Sequence, residues 1–424
     1  MTDRLYYTDP YLREFDATIR RVAERDGRVS IALDRTAFYP TSGGQPFDTG
    51  QLGPYAVVDV FDEDDGTVWH TVEPITQNRE ARTENENPEP RTLNPEPGQA
   101  AHGVVDWPRR FDHMQQHTGQ HVLSAAFERL FGVRTLSFHL GADLSTIDLA
   151  RETTPSEIAK AEDAANAVVW DDRPVAIRFA SVEEAAKMPL RKEPVRGGTL
   201  RLVDVDGFDL SACGGTHVAR TGGIGVIAVA RWERFKGGQR LEFVCGGRAL
   251  RAFRSLRDAT IASVRLLSVL PEDLPASIER LQADAKDQKR AMIVLQNDLA
   301  RYRAAEIAAS AETTPQGTLV LRAIDGDANV LKSLAAAIAS EPGFIVVLVS
   351  MSSPALVVVA RSADVVVASQ QVLAALTAKF GGRGGGKPEL AQGGGLQGSA
   401  AEILAAARGI TTGRTGTDGG HGKS

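Results

Sequence analysis

The sequence predicts an α+β chain of several parts: a small N-terminal β-barrel-like subdomain, a mixed α/β domain, a helical coiled-coil spacer and a C-terminal α/β domain. Three observations carry this. Short β-type runs between turn residues fill the first 75 positions, helical periodicity dominates from residue 107, and apolar strands alternating with helices return after residue 312. At 424 residues, with 42% hydrophobic and 24% charged, the chain has enough apolar surface for more than one core.

Val29 to Leu33 and Tyr55 to Phe61 read as strands, with the glycine-rich TSGGQPFDTG between them. Residues 76–99, TQNREARTENENPEPRTLNPEPGQ, hold four prolines and no aromatic residue, so a disordered insertion between two strands is expected. Arg110 to Phe131 has Val122, Leu123, Ala126 and Leu130 at helical spacing. Strands are expected at Leu136–Leu140, Thr146–Leu149, Val175–Ala180, Leu200–Val205 and Ile224–Trp232, and a helix from Pro155 to Val168 with Thr154 as its N-cap. Between Leu274 and Glu306, Ile278, Leu281, Ala285, Met292, Leu295, Leu299 and Tyr302 recur in steps of three and four. Gln288 is the one polar member of this coiled-coil seam. Glu312 to Gly317 reads as a linker. Strands at Leu319–Arg322, Phe344–Val349 and Leu356–Ala360 then alternate with helices at Asn329–Ser340 and Gln370–Phe380. The expected divisions are 1–106, 107–256, 257–311, 312–410 and a flexible tail 411–424.

Composition narrows the class. Lys and Arg total 48 against 54 Asp and Glu, a formal charge of −6, which excludes a globally basic nucleic-acid coat but not a local basic patch. Two cysteines exclude a disulfide scaffold and point to a reducing, cytoplasmic setting. The start, MTDRLYYTDPYLREFDA, lacks a signal peptide's apolar stretch, and no run reaches the ~18 apolar residues of a membrane helix.

The strongest chemical signal is a split set of metal ligands. His117 and His121 occur as HTGQH in the expected helix, four residues apart and so on one face. His113 lies four residues before His117, so the pair His113/His117 is equally open on spacing alone. Cys213 and His217 occur as CGGTH, where two glycines let the chain fold tightly enough for both side chains to converge. Imidazole nitrogens with a thiolate suit zinc. Cys245 has no assigned role.

TAFYPTSGGQPFDTG, residues 36–50, offers Thr36 and Gln45 as polar groups around a glycine loop. GGRGGGKPELAQGGG, residues 381–395, nearly matches a P-loop. Pro388 stands where a magnesium-binding hydroxyl is needed and a helix precedes it, so it is no triphosphate site, though Arg383 and Lys387 on a flexible glycine loop could hold a nucleic-acid phosphate. Arg231, Arg234, Lys236, Arg240, Arg248, Arg251, Arg254 and Arg257 form a local positive block.

Together LYYTDPYLREFDA, FYPTSGGQPFDTG, DHMQQHTGQHVLSAAF, SFHLG, CGGTHV and LEFVCGGRAL resemble the AlaX family, free-standing relatives of the alanyl-tRNA synthetase editing domain, over residues 1–255. The last third, ending in GGGKPELAQGGG, resembles the C-terminal domain of that synthetase, which makes the long form of AlaX. The resemblance implies that His117, His121, Cys213 and His217 bind zinc, and that the protein hydrolyses the ester of tRNA for alanine mischarged with serine or glycine. It implies that Thr36 and Gln45 recognise the serine hydroxyl and the ester, and that the C-terminal part binds tRNA and pairs two copies. No general base is assigned; His139 in SFHLG is the candidate catalytic residue for that role, and Arg234, Lys236, Arg240, Arg383 and Lys387 are the expected tRNA contacts. Editing-type residues begin almost at Met1, so ATP-dependent aminoacylation is not expected. Two other readings stay open: a catalytically silent, zinc-stapled tRNA-binding or regulatory protein, and a zinc hydrolase for serine on tRNA for threonine.

Overall fold

The computed structural model describes residues 1–75, 94–191 and 198–413. The expected insertion at 76–99 therefore lies outside the described residues over 76–93, as does the expected tail over 414–424. Two compact units divide the chain, Met1–Ala262 and Ser263–Ser424.

The first unit opens with the expected barrel, six strands in the closed order Glu14–Arg25, Arg28–Leu33, Val68–Pro74, Tyr55–Asp62, Gly50–Leu52 and Ala100–Val105. Phe15, Ala17 and Ile19 alternate inward with Ile31, Leu33, Val57, Val60 and Val72, the period of two that a half-buried strand imposes. The register then shifts between Ile19 and Arg21, which turns the second half of this strand outward and hides its alternation from a simple sequence reading. Inside the barrel, His70 Nδ1 donates to the Ile31 carbonyl at 3.0 Å, so its Nε2 accepts the Thr36 hydroxyl proton at 2.8 Å. Burial keeps this imidazole neutral and drops its pKa to about 4.

Helix α1, Trp107–Phe131, starts three residues earlier than periodicity suggests. Asp106 accepts from the Arg109 amide, Pro108 occupies the first turn and Gly132 ends the helix in the left-handed region. Nearly all of α1 from Arg110 to Phe127 is buried, because it lies between helix α2, Pro155–Trp170, and a four-stranded antiparallel sheet. The strand order there is Ile227–Phe235, Gly238–Cys245, Ser145–Leu149 and Thr135–Leu140. The predicted N-cap of α2 is present: Thr154 and Glu157 form a capping box. A smaller antiparallel sheet, Val175–Ala180, Leu200–Val205 and Asp209–Ala212, holds the short helix α3, Val182–Ala185, and leads into the CGGTH loop. Ile224, read as the start of a strand, ends a turn of 3-10 helix instead.

Cys245 finds its role in this core. It is fully buried, burial pushes its thiol up, and its sulfur would lie 2.3 Å from a Cβ placed on Gly119. The Gln116 side chain donates to the Cys245 carbonyl at 3.1 Å and accepts from its amide at 2.8 Å, closing the strand end against α1.

Helix α4, Gly247–Leu267, follows the sheet and carries the boundary between the units. In the second unit helix α5, Leu274–Ala308, is a single helix of 35 residues. Its expected seam residues Leu281, Met292, Leu295, Leu299 and Tyr302 are all exposed; α5 buries Ser277 near its start, and Ala300 and Ala304 against helix α6, Ala328–Ala339. The sheet beyond has the order Glu312–Thr314, Gly317–Ile324, Phe344–Ser350, Ala355–Arg361, Leu390–Leu396, Arg383–Gly386. Helices α5 and α6 cover one face; α7, Ser369–Phe380, and α8, Ala400–Thr412, cover the other. Two expectations change here. The linker at Glu312 to Gly317 is the first strand and turn of a hairpin, and the glycine loop at 381–395 is another hairpin, where Gly384 pairs with Gly393 and backbone leaves no room for a side chain at Gly382, Gly384 or Gly386. No described helix is long and apolar enough to cross a membrane.

Two tests follow. Gly119→Ala is expected to cost on the order of 1–3 kcal/mol by overpacking. Cys245→Ala in the same chain should recover part of it, and additive losses in denaturant melts would contradict the contact. Because His70 is neutral when folded and titrates near 6.5 when unfolded, only the unfolded chain takes up this proton between about pH 6.5 and 4. Its contribution to stability is complete above that window and is lost as pH falls through it. Thermal melts of His70→Gln across the window should show a shallower acid limb than wild type; an equal slope would assign the loss to other groups.

Candidate metal centre

The barrel loop reaches α1 through an ion pair that is entirely out of water. Arg110 Nε donates to Asp48 Oδ2 at 2.9 Å, with both side chains 0% exposed. Asp48 also accepts from the Tyr39 amide at 2.6 Å, and Arg110 Nη1 donates to the Pro10 carbonyl at 2.8 Å. This fixes residues 39–48 over the middle of α1 and delivers Gln45 to His117.

Among the described residues one group could hold a metal: His117, His121, Cys213 and His217, whose ligand atoms all lie within 4.8 Å of one another. Cys213 Sγ is 3.3 Å from both His117 Nε2 and His217 Nε2. The ring centroids of His117 and His121 are 5.4 Å apart, as helical spacing requires, and His217 packs 4.4 Å and 4.8 Å from them. A Cβ on Gly215 would fall 2.1 Å from His117, so only glycine lets the CGGTH loop approach this closely.

Each imidazole is held by its Nδ1. His117 donates to Gln45 Oε1 at 2.8 Å, and His121 donates to Asp209 Oδ2 at 2.8 Å. Thr118 gives its hydroxyl proton to the Met114 carbonyl at 2.9 Å, so its oxygen is the acceptor for His217 Nδ1 at 3.2 Å. All three rings therefore have Nδ1 committed to the protein and leave Nε2 on the side of Cys213 for a metal ion. Burial opposes ionising Cys213, but the His117 and His217 imidazoles outweigh it and hold the thiol well below its usual range. Three lone pairs and a thiolate converging in a buried space fit a tetrahedral N₃S zinc site.

Sequence reasoning missed the groups behind the ligands. Asp209 is buried and accepts from Arg191 at 2.5 Å and from Ser211 at 3.0 Å as well as from His121. Burial acts to raise its pKa, yet the His121 and Arg191 contacts bring it down to about 2. The signal was present: Asp209, Ser211 and Cys213 alternate in DLSAC and so share a face of one strand. His70 was also passed over.

Several expected site residues stand elsewhere or do something else. Gln45 is fully buried and fully used: its Oε1 also accepts from the Thr216 amide at 3.1 Å and its Nε2 donates to Thr216 Oγ1 at 2.8 Å. It touches a metal ligand directly. Thr36 is 0% exposed, with its proton committed to His70 and its oxygen accepting from the Phe38 amide at 3.1 Å. His139 is exposed, and strand alternation puts it on the face opposite Phe138, whose ring lies 5.8 Å from His117. The structure thus does not bring His139 to the cluster. His113 is outside the ligand group, almost fully buried, and held to a pKa of about 4 by burial and by Arg109.

The positive block is largely neutralised. Arg231 meets Glu242 at 3.2 Å, Arg234 meets Glu152 at 2.9 Å, Arg240 meets Asp148 at 2.7 Å and Arg248 meets Asp112 at 2.6 Å. Arg251 shares Asp112 at 3.7 Å and Arg257 meets Asp258 at 2.8 Å. Arg234, Lys236 and Arg240 do share one hairpin of the first unit, while Arg383 and Lys387 are exposed on the glycine hairpin of the second.

The family described as "Threonyl and Alanyl tRNA synthetase second additional domain" matches residues 200–242, the stretch that holds Asp209, Cys213 and His217. The alanine–tRNA ligase of Pyrococcus furiosus is 33% identical over 404 residues, and that of Halobacterium salinarum strain R1 is 36% identical over 412. These matches cover 92% and 93% of this chain but 42% of each ligase, so the chain spans about two-fifths of their length. The alanyl-tRNA editing protein AlaX-L of Pyrococcus horikoshii is 29% identical over 402 residues, covering 93% of this chain and 94% of its own. These matches bear out the resemblance read from the motifs.

The metal centre gives a direct test. Asp209→Ala and Gln45→Ala each remove the acceptor that orients one imidazole, and should weaken zinc or cobalt binding by about 10- to 100-fold in chelator competition. Unchanged affinity would mean the rings are oriented by packing alone.

Proposed function

We propose that this chain, a homologue of the editing protein AlaX-L and of archaeal alanine–tRNA ligases that carries their second additional domain, is a zinc-dependent deacylase for tRNA for alanine mischarged with serine or glycine. The observation that carries this reading is the cluster itself: three Nε2 lone pairs and the Cys213 thiolate converge in a buried space that opens on the Cys213–Gly214 side.

His117, His121, Cys213 and His217 would hold the ion. Zinc there would supply a Lewis acid suited to the amino group of the substrate or to its terminal ribose hydroxyl. The chain's own residues do the rest. Asp209, Gln45 and Thr118 hold the rings in one tautomer, and the surrounding core keeps bulk water from the buried ligands. Gly44 is exposed and packs so closely on Phe138 that a Cβ would fall 2.9 Å from its ring, and the neighbouring Gly43 is exposed with open space around it.

A second site of this kind answers a physical limit. A pocket built for alanine rejects serine by only about 10²-fold, since the intruder merely adds a hydroxyl, whereas a site that bonds the hydroxyl can exclude alanine by about 10⁴. Recognition of that hydroxyl is not assigned to Thr36, whose proton is already taken. Arg383 and Lys387 on the exposed glycine hairpin, with Lys236 of the first unit, are the proposed phosphate contacts, and a second copy is the proposed occupant of the exposed α5 seam. The proposed setting is the cytoplasm.

Purified protein loaded with zinc should release serine from seryl-tRNA for alanine while sparing alanyl-tRNA, and Cys213→Ala should abolish release. The matching family spans threonyl as well as alanyl synthetases, so serine on tRNA for threonine is the competing substrate in the same assay. Faster release from it would move the specificity there. A wild-type protein that spares all of these would leave a zinc-stapled binding protein.

A further inference from the structure

Among the described residues three arginines are buried, and two have carboxylates: Arg110 has Asp48 and Arg248 has Asp112. Arg201, in the strand Leu200–Val205, is 8% exposed and bonds only to backbone. Its Nε donates to the Tyr7 carbonyl at 3.0 Å and its Nη1 to the Cys213 carbonyl at 2.7 Å. Its Nη2 is buried with no hydrogen-bond partner among the described residues. No carboxylate answers this buried guanidinium; the anionic neighbour that favours its charge most is the Cys213 thiolate, and the donor left open adds a further cost of burial.

A second open donor belongs to the residue before Tyr7. Tyr6 is 0% exposed and its hydroxyl also has no partner among the described residues. It adjoins Tyr7, whose carbonyl Arg201 holds, and its ring packs edge-on against Tyr39 at 5.2 Å and Tyr7 at 5.0 Å. Arg201 sits on the side where the metal ligands are least covered. Cys213 is half-buried, Gly214 is exposed, and the half-buried Tyr7 hydroxyl lies against Gly214.

We infer that Arg201, assisted by the Tyr6 hydroxyl, is the site that receives the acyl oxygen of the ester as it gains negative charge. The inference rests on the deacylase reading for its substrate. In hydrolysis a water oxygen bonds to the acyl carbon and the bond from that carbon to the ribose oxygen breaks. One water proton goes to the ribose oxygen, the other is released to solvent, and the amino acid leaves as a carboxylate. Charge therefore appears on the acyl oxygen and stays on the product. A guanidinium with one free N–H and no carboxylate of its own meets that charge without first giving up a partner, which is how a preorganised donor lowers a barrier. A single oxygen also suits donors this deeply set better than a phosphodiester does. Arg201 holds the Cys213 carbonyl with its other nitrogen, so the acyl oxygen is placed one residue from a metal ligand.

Two variants and two readouts test this. Arg201→Gln should lower kcat by roughly 10²- to 10³-fold, as loss of one oxyanion donor does, with KM changing far less. Its zinc affinity, measured by chelator competition, should stay within about twofold. Tyr6→Phe removes only the unpartnered hydroxyl; it should lower kcat by about tenfold while the melting temperature holds or rises. In the binding arm, millimolar L-serine, which carries a carboxylate, should raise the melting temperature of wild type more than L-serinamide does, and both variants should lose the difference. Zinc lost in step with activity in Arg201→Gln would overturn the inference and reduce Arg201 to a brace for the CGGTH loop. Wild-type kcat in both variants would overturn it as well. A wild-type protein that leaves the ester intact but still prefers L-serine to L-serinamide removes the deacylase reading and keeps the anion site; equal stabilisation removes the site.

Discussion

The fold of the first unit hangs on a charge pair with no water around it. Removing one partner of the Arg110–Asp48 pair would leave the other buried and uncompensated, a loss of about 3–5 kcal/mol in comparable cases. The pair matters for where it sits. Asp48 closes the barrel loop that carries Tyr39 and Gln45, and Arg110 stands two helical turns ahead of His117 on the same helix. Docking the loop and orienting the first metal ligand are therefore one event.

The three imidazole acceptors come from three places. Gln45 belongs to the barrel loop, Thr118 to the helix that supplies His117 and His121, and Asp209 to the strand that runs into the CGGTH loop. Gly215 and Gly119 mark where backbone had to come closest, one against an imidazole and one against a buried sulfur. Core packing and ligand geometry are set by the same helix, so neither can relax alone.

Much of this was legible in the letters. The barrel, α1, the capped α2 and the second unit's strands follow from periodicity and turn residues, and the ligand group follows from two short spacings once the family resemblance selects His117/His121 over His113/His117. What was not legible has identifiable causes. The register shift in Glu14–Arg25 broke the alternation that marks a strand. The glycine runs look like loop because a strand's usual signal is its side chains, and here the pairing is backbone against backbone. Thr36 and His139 were chosen by chemical type, but type does not say where a proton is already committed or which face of a strand a ring occupies. The arginine block misled in the same way: Arg240 and Arg248 are partnered by Asp148 and Asp112, about ninety and more than a hundred residues away in sequence. The orphan state of Arg201 is likewise a fact of three dimensions only.

A site gathered from residue 45 to residue 217 has a consequence for the life of the chain in the cell. A nascent or clipped chain that has the HTGQH helix but lacks the CGGTH loop holds two of the four ligands, and one without the barrel loop loses the acceptor that orients His117. Competence to hold a metal therefore arrives late, once the CGGTH loop has joined the helix.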